Sequence, residues 1–214
     1  MVLKTEQIIP APLREKLSSR KSEIWLKDLS FSSENYYSIQ AASGTGKTTL
    51  MHCLYGIRKD YKGTISWDGK NLTEFNSEEL SVLRSHKVAI IFQDMRLFPE
   101  FSAWENLQLK RTLSNTVEEK EMEEWCKRLG IGDKKNALAK TMSYGEQQRL
   151  AIIRSLVQPF SFLLMDEPFS HLDKNNSDLA ASLILEIVQR QNAGLLLADL
   201  DENSFFPYHQ TLLL

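Results

Sequence analysis

Apolar and polar positions succeed one another along this chain in patterns that each predict an element. Residues 24–31 set Ile24, Leu26, Leu29 and Phe31 against polar neighbours, the period of a half-buried strand. A turn at 32–35 leads to a second strand at 36–41, and a helix is expected over 48–55. Residues 62–68, with Gly69 behind them, read as a further strand and its turn. Ser77 is expected to cap a short helix over 77–85, with Glu78 and Glu79 in its first turn. The apolar runs at 88–92, 160–166 and 194–198 suit strands buried on both faces. Helical spacing recurs at 103–113, 117–129, 143–157 and 174–191, loop composition at 130–140, and a short last strand at 210–214. Residues 1–21 are polar, carry Pro10 and Pro12, and are expected to form an N-terminal arm. Strands alternating with helices predict an α/β fold with a mainly parallel sheet, and the helices between 94 and 141 an inserted lobe.

Composition narrows the class. The chain has 214 residues, 42% hydrophobic and 25% charged, which is ordinary for a folded domain with a substantial core. A net charge of −2 gives no polybasic signature for nucleic acid. Cys53 and Cys126 match no metal spacing and read as buried thiols. No stretch approaches the roughly 20 apolar residues of a membrane span, and the N-terminus does not read as a signal peptide, so a cytoplasmic location is expected.

The chemistry begins at residues 41–50, A-A-S-G-T-G-K-T-T-L. Ser43, Gly44, Thr45 and Gly46 form a loop before a helix, where consecutive backbone N–H groups and the positive end of the helix dipole suit a polyphosphate. Lys47 is placed to reach the β- and γ-phosphates, while Thr48, followed by Thr49, offers a hydroxyl to Mg²⁺. Ala41 stands where the G-x-x-x-x-G-K-[ST] pattern has its first glycine. Trp25, Phe31, Tyr36 and Tyr37 lie near this loop in sequence; core packing is the first expectation for each, adenine stacking the alternative. Asp166 and Glu167 close the apolar run at 160–166, the strand end where parallel sheets bind ligands. Asp166 suits the Mg²⁺ shell and Glu167 a water aimed at the γ-phosphate.

Residues 142–150 read M-S-Y-G-E-Q-Q-R-L, and here the chain resembles the ATP-binding cassette (ABC) ATPases, whose signature is L-S-G-G-Q or L-S-G-G-E followed by Q-Q-R. The resemblance is collinear over about 22–214: the Lys47 loop, Gln93 at a strand end, Ser143 to Gly145, Asp166-Glu167-Pro168, and S-H-L-D at 170–173. It implies a P-loop NTPase core with N-terminal antiparallel strands (22–93 and 142–214) and an inserted helical lobe (94–141). It also implies ATP and Mg²⁺ as cofactors, with Thr48, Gln93 and Asp166 toward the metal and Lys47, Gln93 and Glu167 in catalysis. Ser143 and Gly145 would face ATP held by a second cassette subunit, in a homo- or heterodimer, with Asp173 across the interface. Residues 91–107, I-F-Q-D-M-R-L-F-P-E-F-S-A-W-E-N-L, and 77–84, S-E-E-L-S-V-L-R, resemble the lipoprotein-release, macrolide-efflux and cell-division branch. That branch implies a separately encoded membrane-spanning permease or FtsX-like subunit and a place on the inner face of the cell membrane. Leu97, Phe98, Phe101 and Trp104 are candidates for its socket, burial within the lobe being the competing expectation.

Two departures matter. Tyr144 replaces the first signature glycine, and the T-H-D of the family falls within L-L-L-A-D-L-D-E, with Ala198 or Asp199 at the histidine position. ATP binding with slow hydrolysis is expected; the alternative is a regulatory cassette that binds ATP and barely turns it over. A DNA-repair cassette would need a coiled coil between Gln93 and Ser143, and about 50 residues are too few.

Overall fold

The computed structural model describes residues 1–14, 22–114, 116–200 and 202–214. Its first strand is one that the hydrophobic pattern hides. β1 (Val2–Pro10) lies inside an antiparallel sheet, between β2 (Leu29–Ser32) and, further along the chain, β4 (Tyr61–Trp67). The expected N-terminal arm is therefore corrected over these residues, and residues 15–21 lie outside the described ones. Leu3 and Thr5 point inward, but a bulge between Glu6 and Ile9 breaks the alternation, with Gln7 at φ 51°. Gly63 opposes that bulge, where a Cβ would stand 2.4 Å from the Glu6 carbonyl oxygen.

The expected strand over 24–31 shrinks to β2. Ile24 and Trp25 are both buried while Leu26, at φ 57°, is exposed, so the alternation marks a packed turn rather than a strand. β3 (Tyr36–Gln40) follows and delivers the loop before α1 (Lys47–Leu54). After β4, Asp68 and Gly69 turn into β5 (Lys70–Asn71), the other edge of the antiparallel sheet. α2 (Ser77–His86) is capped by Asn76, one residue earlier than expected, in a reciprocal box with Glu79.

β6 (Val88–Ile91) precedes the helical insertion, which holds α3 (Ala103–Arg111) and α4 (Glu119–Arg128). α5 (Tyr144–Leu156), β7 (Phe162–Asp166), α6 (Lys174–Arg190), β8 (Gly194–Asp199) and β9 (Gln210–Leu213) complete the chain. The second sheet is parallel, in the order β6-β7-β8-β3-β9. On one face Phe162, Leu164, Leu196 and Ala198 pack with α1 and the antiparallel sheet. On the other, Leu163, Met165, Leu195 and Leu197 pack with α5, α6 and the helical insertion. Strands β6 to β8, apolar except for the aspartates that end β7 and β8, thus separate two cores, and polar residues gather at the C-terminal edge of the sheet. Cys53 and Cys126 are free and buried, and burial pushes their thiols up to about 12 and about 11.

Candidate nucleotide site

At α1 the backbone itself calls for an anion. Gly46 caps the helix at φ 112° with no side-chain hydrogen bond and no acidic residue in the first turn. By contrast α2, α3 and α5 each close their N-termini with a capping box. The α1 N–H groups have no such side-chain partner and point where a phosphate would sit. Gly46 is fixed by more than φ: a Cβ would meet the Leu13 side chain at 2.8 Å and Trp25 at 3.2 Å. Ala41 keeps a negative φ and is buried, so the loss of the first glycine is tolerated.

Around this terminus lies a cleft of about 280 Å³ that gathers Ser43, Gly44, Gly46, Lys47, Thr48, Thr49, Gln93 and Glu167, with Leu13 also on its wall. Thr45 turns away and donates to the Ala42 carbonyl at 2.7 Å. Lys47 is buried; its ammonium donates to the carbonyls of Ala41 (2.7 Å) and Ala42 (3.2 Å) and pairs with Glu167 at 3.2 Å. The Gln93 amide links the cleft's two sides, accepting from the Thr48 hydroxyl at 3.2 Å and donating to Glu167 at 3.3 Å. Glu167 stands at φ 46°, left-handed for a non-glycine residue, and its N–H is tied to the Ala198 carbonyl at 2.9 Å. That strain turns the side chain off the end of β7 into the cleft, a feature with no signature in residue identity.

Asp166 sits behind them, only 1% exposed, and neither carboxylate oxygen has a hydrogen-bond partner. Burial pushes its carboxyl up to about 6, against a downward pull from the nearby Thr48 hydroxyl, whose own bond goes to Gln93. An orphaned buried carboxylate is what a cation would satisfy. Among the described residues no group of three or more His, Cys, Asp or Glu is placed to hold a metal. Asp166, Thr48 and Gln93 offer an all-oxygen set that suits Mg²⁺ completed by phosphate oxygens and water.

The raised carboxyl has a thermodynamic consequence. Between the ordinary carboxyl range and about pH 6 the folded chain binds more protons here than the unfolded one, so stability falls as pH rises through that window and then stays low. Asp166→Asn is expected to remove this slope and stabilise the nucleotide-free chain by about 2–3 kcal/mol near pH 7, with little gain near pH 4. Urea unfolding at the two pH values checks it; equal stability of the two chains at neutral pH would contradict it.

The parallel register, with Asp166 opposite Ala198 and Gln40 opposite Asp199, brings the phosphate loop, Gln93, Asp166 and Glu167 to one edge. The family profile described as ABC transporter matches residues 26–170. The chain belongs to the ABC transporter family. It is 38% identical over 166 residues to the lipoprotein-releasing system ATP-binding protein LolD of Buchnera aphidicola subsp. Schizaphis graminum, covering 76% of this chain and 72% of that protein. Two solved structures share the fold. The dimeric structure of MJ0796, a bacterial ABC transporter cassette, superposes with a TM-score of 0.78 at 22% identity, over 93% of this chain and 88% of that one. A post-hydrolysis state of the same cassette bound to ADP and Pi does so at 0.77 and 21%, with the same coverage. The chain is thus an ABC-type ATPase cassette.

Other expected site residues fall outside the cleft. Ser143 caps α5, accepting from the Glu146 N–H at 3.3 Å while its own N–H is taken by the Glu146 carboxylate at 2.8 Å. Gly145 lies in the following turn, where a Cβ would meet the His171 carbonyl oxygen at 3.2 Å. Tyr144 is 69% exposed and stacks on His171, ring centroids 5.5 Å apart. Asp173 caps α6 through the Asn176 N–H at 2.8 Å. Trp25, Phe31 and Tyr37 are core residues and Tyr36 packs edge-on against His209, so the packing expectation holds for all four. Leu13 was missed as a cleft residue because it belongs to the stretch read as an arm.

Ala198 and Asp199, between which the histidine position was left open, close β8. Ala198 is wholly buried on the α1 side of β8, and the Asp199 carboxylate accepts from Leu200 N–H (2.7 Å) and the Asn203 side chain (3.1 Å). Strand alternation carries the α1 side from Leu196 through Ala198 to Leu200, the first residue beyond β8 and 43% exposed. None of the three is a histidine.

Proposed function

We propose that this cassette dimerises on ATP, hydrolyses it slowly and drives a separately encoded membrane-spanning partner of the permease or FtsX-like kind. The observation that carries the reading is the Lys47–Glu167–Gln93–Thr48 network at the uncapped α1 terminus. In this reading Lys47 moves its ammonium from loop carbonyls to phosphate oxygens, and Glu167, released from the ion pair, takes the proton of the attacking water. Gln93, bonded to both sides, senses which arrangement holds. Thr48, Gln93 and Asp166 would hold Mg²⁺, which neutralises charge developing on the phosphates. Ser143, Gly145 and Asp173 would serve the neighbouring subunit's nucleotide, with 22–93 and 142–214 as the core lobe and 94–141 as the helical lobe.

Similarity to LolD supports the membrane partner, as do the exposed, stacked rings of Phe98 and Phe101. Leu97 and Trp104, expected beside them, are partly buried against the lobe's core. Among the described residues no helix is long and apolar enough to cross a membrane; the peripheral place on the inner face is proposed from the similarity to LolD. Sedimentation of the purified chain with a non-hydrolysable ATP analogue and Mg²⁺ is expected to show a dimer that nucleotide-free protein lacks; a monomer at saturating nucleotide would contradict the reading.

Leu200 is proposed as the place where the missing histidine lowers turnover. Leu200→His is expected to raise the ATPase rate about three- to tenfold, by adding one donor to the transferring phosphate. A rate unchanged or lowered, in a variant that still binds ATP, would remove Leu200 from that role.

A further inference from the structure

One buried polar side chain joins α5 to the turn that follows β7. Gln148 is 2% exposed and lies one turn into α5, against residues 167–171. Its carboxamide oxygen accepts from the His171 N–H at 2.8 Å. Its nitrogen donates to the Glu167 carbonyl at 3.3 Å and to the Ser170 hydroxyl at 3.4 Å. A backbone N–H only donates and a carbonyl only accepts, so these partners fix which way the amide points. Gln147, the adjacent residue of the same type, instead turns back to the Met142 carbonyl at 2.8 Å. The peptide that Gln148 holds is the strained one. Glu167 stands at φ 46°, a conformation that persists in a non-glycine residue only where its surroundings over-determine it. Its N–H is anchored on β8 by the Ala198 carbonyl, and its own carbonyl takes the Ser170 N–H at 3.3 Å beside the Gln148 amide. The start of the same helix meets the same turn twice more, through the Tyr144 ring on His171 and through Gly145 beneath the His171 carbonyl.

We propose that Gln148 is a positioning residue for hydrolysis: by holding the Glu167 carbonyl and the His171 N–H at once, it fixes the left-handed peptide that aims the Glu167 carboxylate at the attacking water. The proposal rests on the reading of Glu167 as the base and adds the residue that aims it. Gln148 is not among the residues on the wall of the nucleotide cleft, so it acts on the reaction through Glu167 and not through contact with nucleotide. With its amide gone, the Glu167 carbonyl keeps one donor from within its own turn, the Ser170 N–H, and loses its bond to α5. The His171 N–H is then left buried without its acceptor, which presses the turn to shift. A displacement of the carboxylate by about 1 Å is enough to lower the rate by about 10²-fold.

Gln148→Met keeps the length of the side chain and removes its hydrogen bonds. It is expected to lower kcat at least about tenfold while KM and ATP binding stay within about twofold of wild type. Gln148→Glu keeps the oxygen that accepts from His171 but, when ionised, sets a second oxygen against the Glu167 carbonyl. A buried carboxyl takes up a proton more readily than an exposed one, and the protonated form restores the donor. The kcat of Gln148→Glu relative to wild type at the same pH is therefore expected to recover at least about threefold between about pH 8 and about pH 6. Added to Glu167→Gln, Gln148→Met is expected to change the residual rate by less than about twofold, because no base is left to aim. Circular dichroism checks the fold of each variant, and if Gln148→Met does not fold, the pH ratio of Gln148→Glu decides. Wild-type kcat in folded Gln148→Met would overturn the proposal. So would a parallel loss of binding and kcat, a Gln148→Glu ratio flat with pH, or a further drop on top of Glu167→Gln, each of which assigns Gln148 to packing. The two readings fail differently: turnover unchanged in Glu167→Gln sinks the parent, whereas turnover lowered there and intact in Gln148→Met sinks this proposal alone.

Discussion

Glu167→Gln is expected to lower steady-state ATP turnover by roughly 10²–10³-fold while leaving ATP binding within a few-fold of wild type. The side chain is nearly buried and sits on a left-handed backbone whose N–H is tied to the neighbouring strand. A glutamine fits that frame without moving it, still accepts from Lys47, and can still meet Gln93. What it lacks is a carboxylate to take a proton from water. The loss should therefore fall on kcat alone, and an ATP-held dimer should persist where the wild type's disperses. A single-turnover time course beside equilibrium binding reads both quantities. Weakened binding with an unchanged kcat would place Glu167 in structure rather than chemistry.

Lys47→Ala acts on the other side of the same ion pair and is expected to weaken ATP binding about 100-fold or more, the equivalent of about 3 kcal/mol. Lys47 is a buried ammonium with three oxygen partners, two of them loop carbonyls that hold it at the mouth of α1. Alanine removes the charge that meets the phosphates and leaves the Glu167 carboxylate without its counter-ion. Because the two side chains touch at 3.2 Å, the double substitution should cost less than the sum of the single ones. Titration calorimetry with ATP measures it. Binding within threefold of wild type would mean that the phosphates lie elsewhere.

Periodicity marks an element where side-chain pattern and environment agree. β6, β7 and β8 are apolar on both faces because both faces are covered, and their runs ended at residues whose polarity only a strand end accommodates. Period fails where polar groups face inward or the backbone departs from regularity. β1 buries Thr5 and bulges at Gln7, so its nine residues read as a polar arm although they lie inside a sheet. Leu26 and Trp25 exchange the faces that alternation assigns them, since a left-handed residue in a turn redirects the chain. The site was legible in the same measure. Lys47, Thr48, Gln93, Asp166 and Glu167 announced themselves by chemistry and spacing. The bridging of Thr48 to Glu167 by Gln93 and the desolvation of Asp166 did not, because both arise from segments distant in sequence, with Gln93 45 residues from Thr48 and 74 from Glu167, meeting at one edge.

We propose that this cassette hydrolyses ATP with Glu167 as the base, despite a leucine at position 200, just beyond β8. Phosphate release from MgATP by the purified wild-type chain, with Glu167→Gln as the blank, tests it most directly. A slow rate is expected, at least about tenfold above the blank. A wild-type rate equal to that of Glu167→Gln, with ATP bound equally by both, would contradict it.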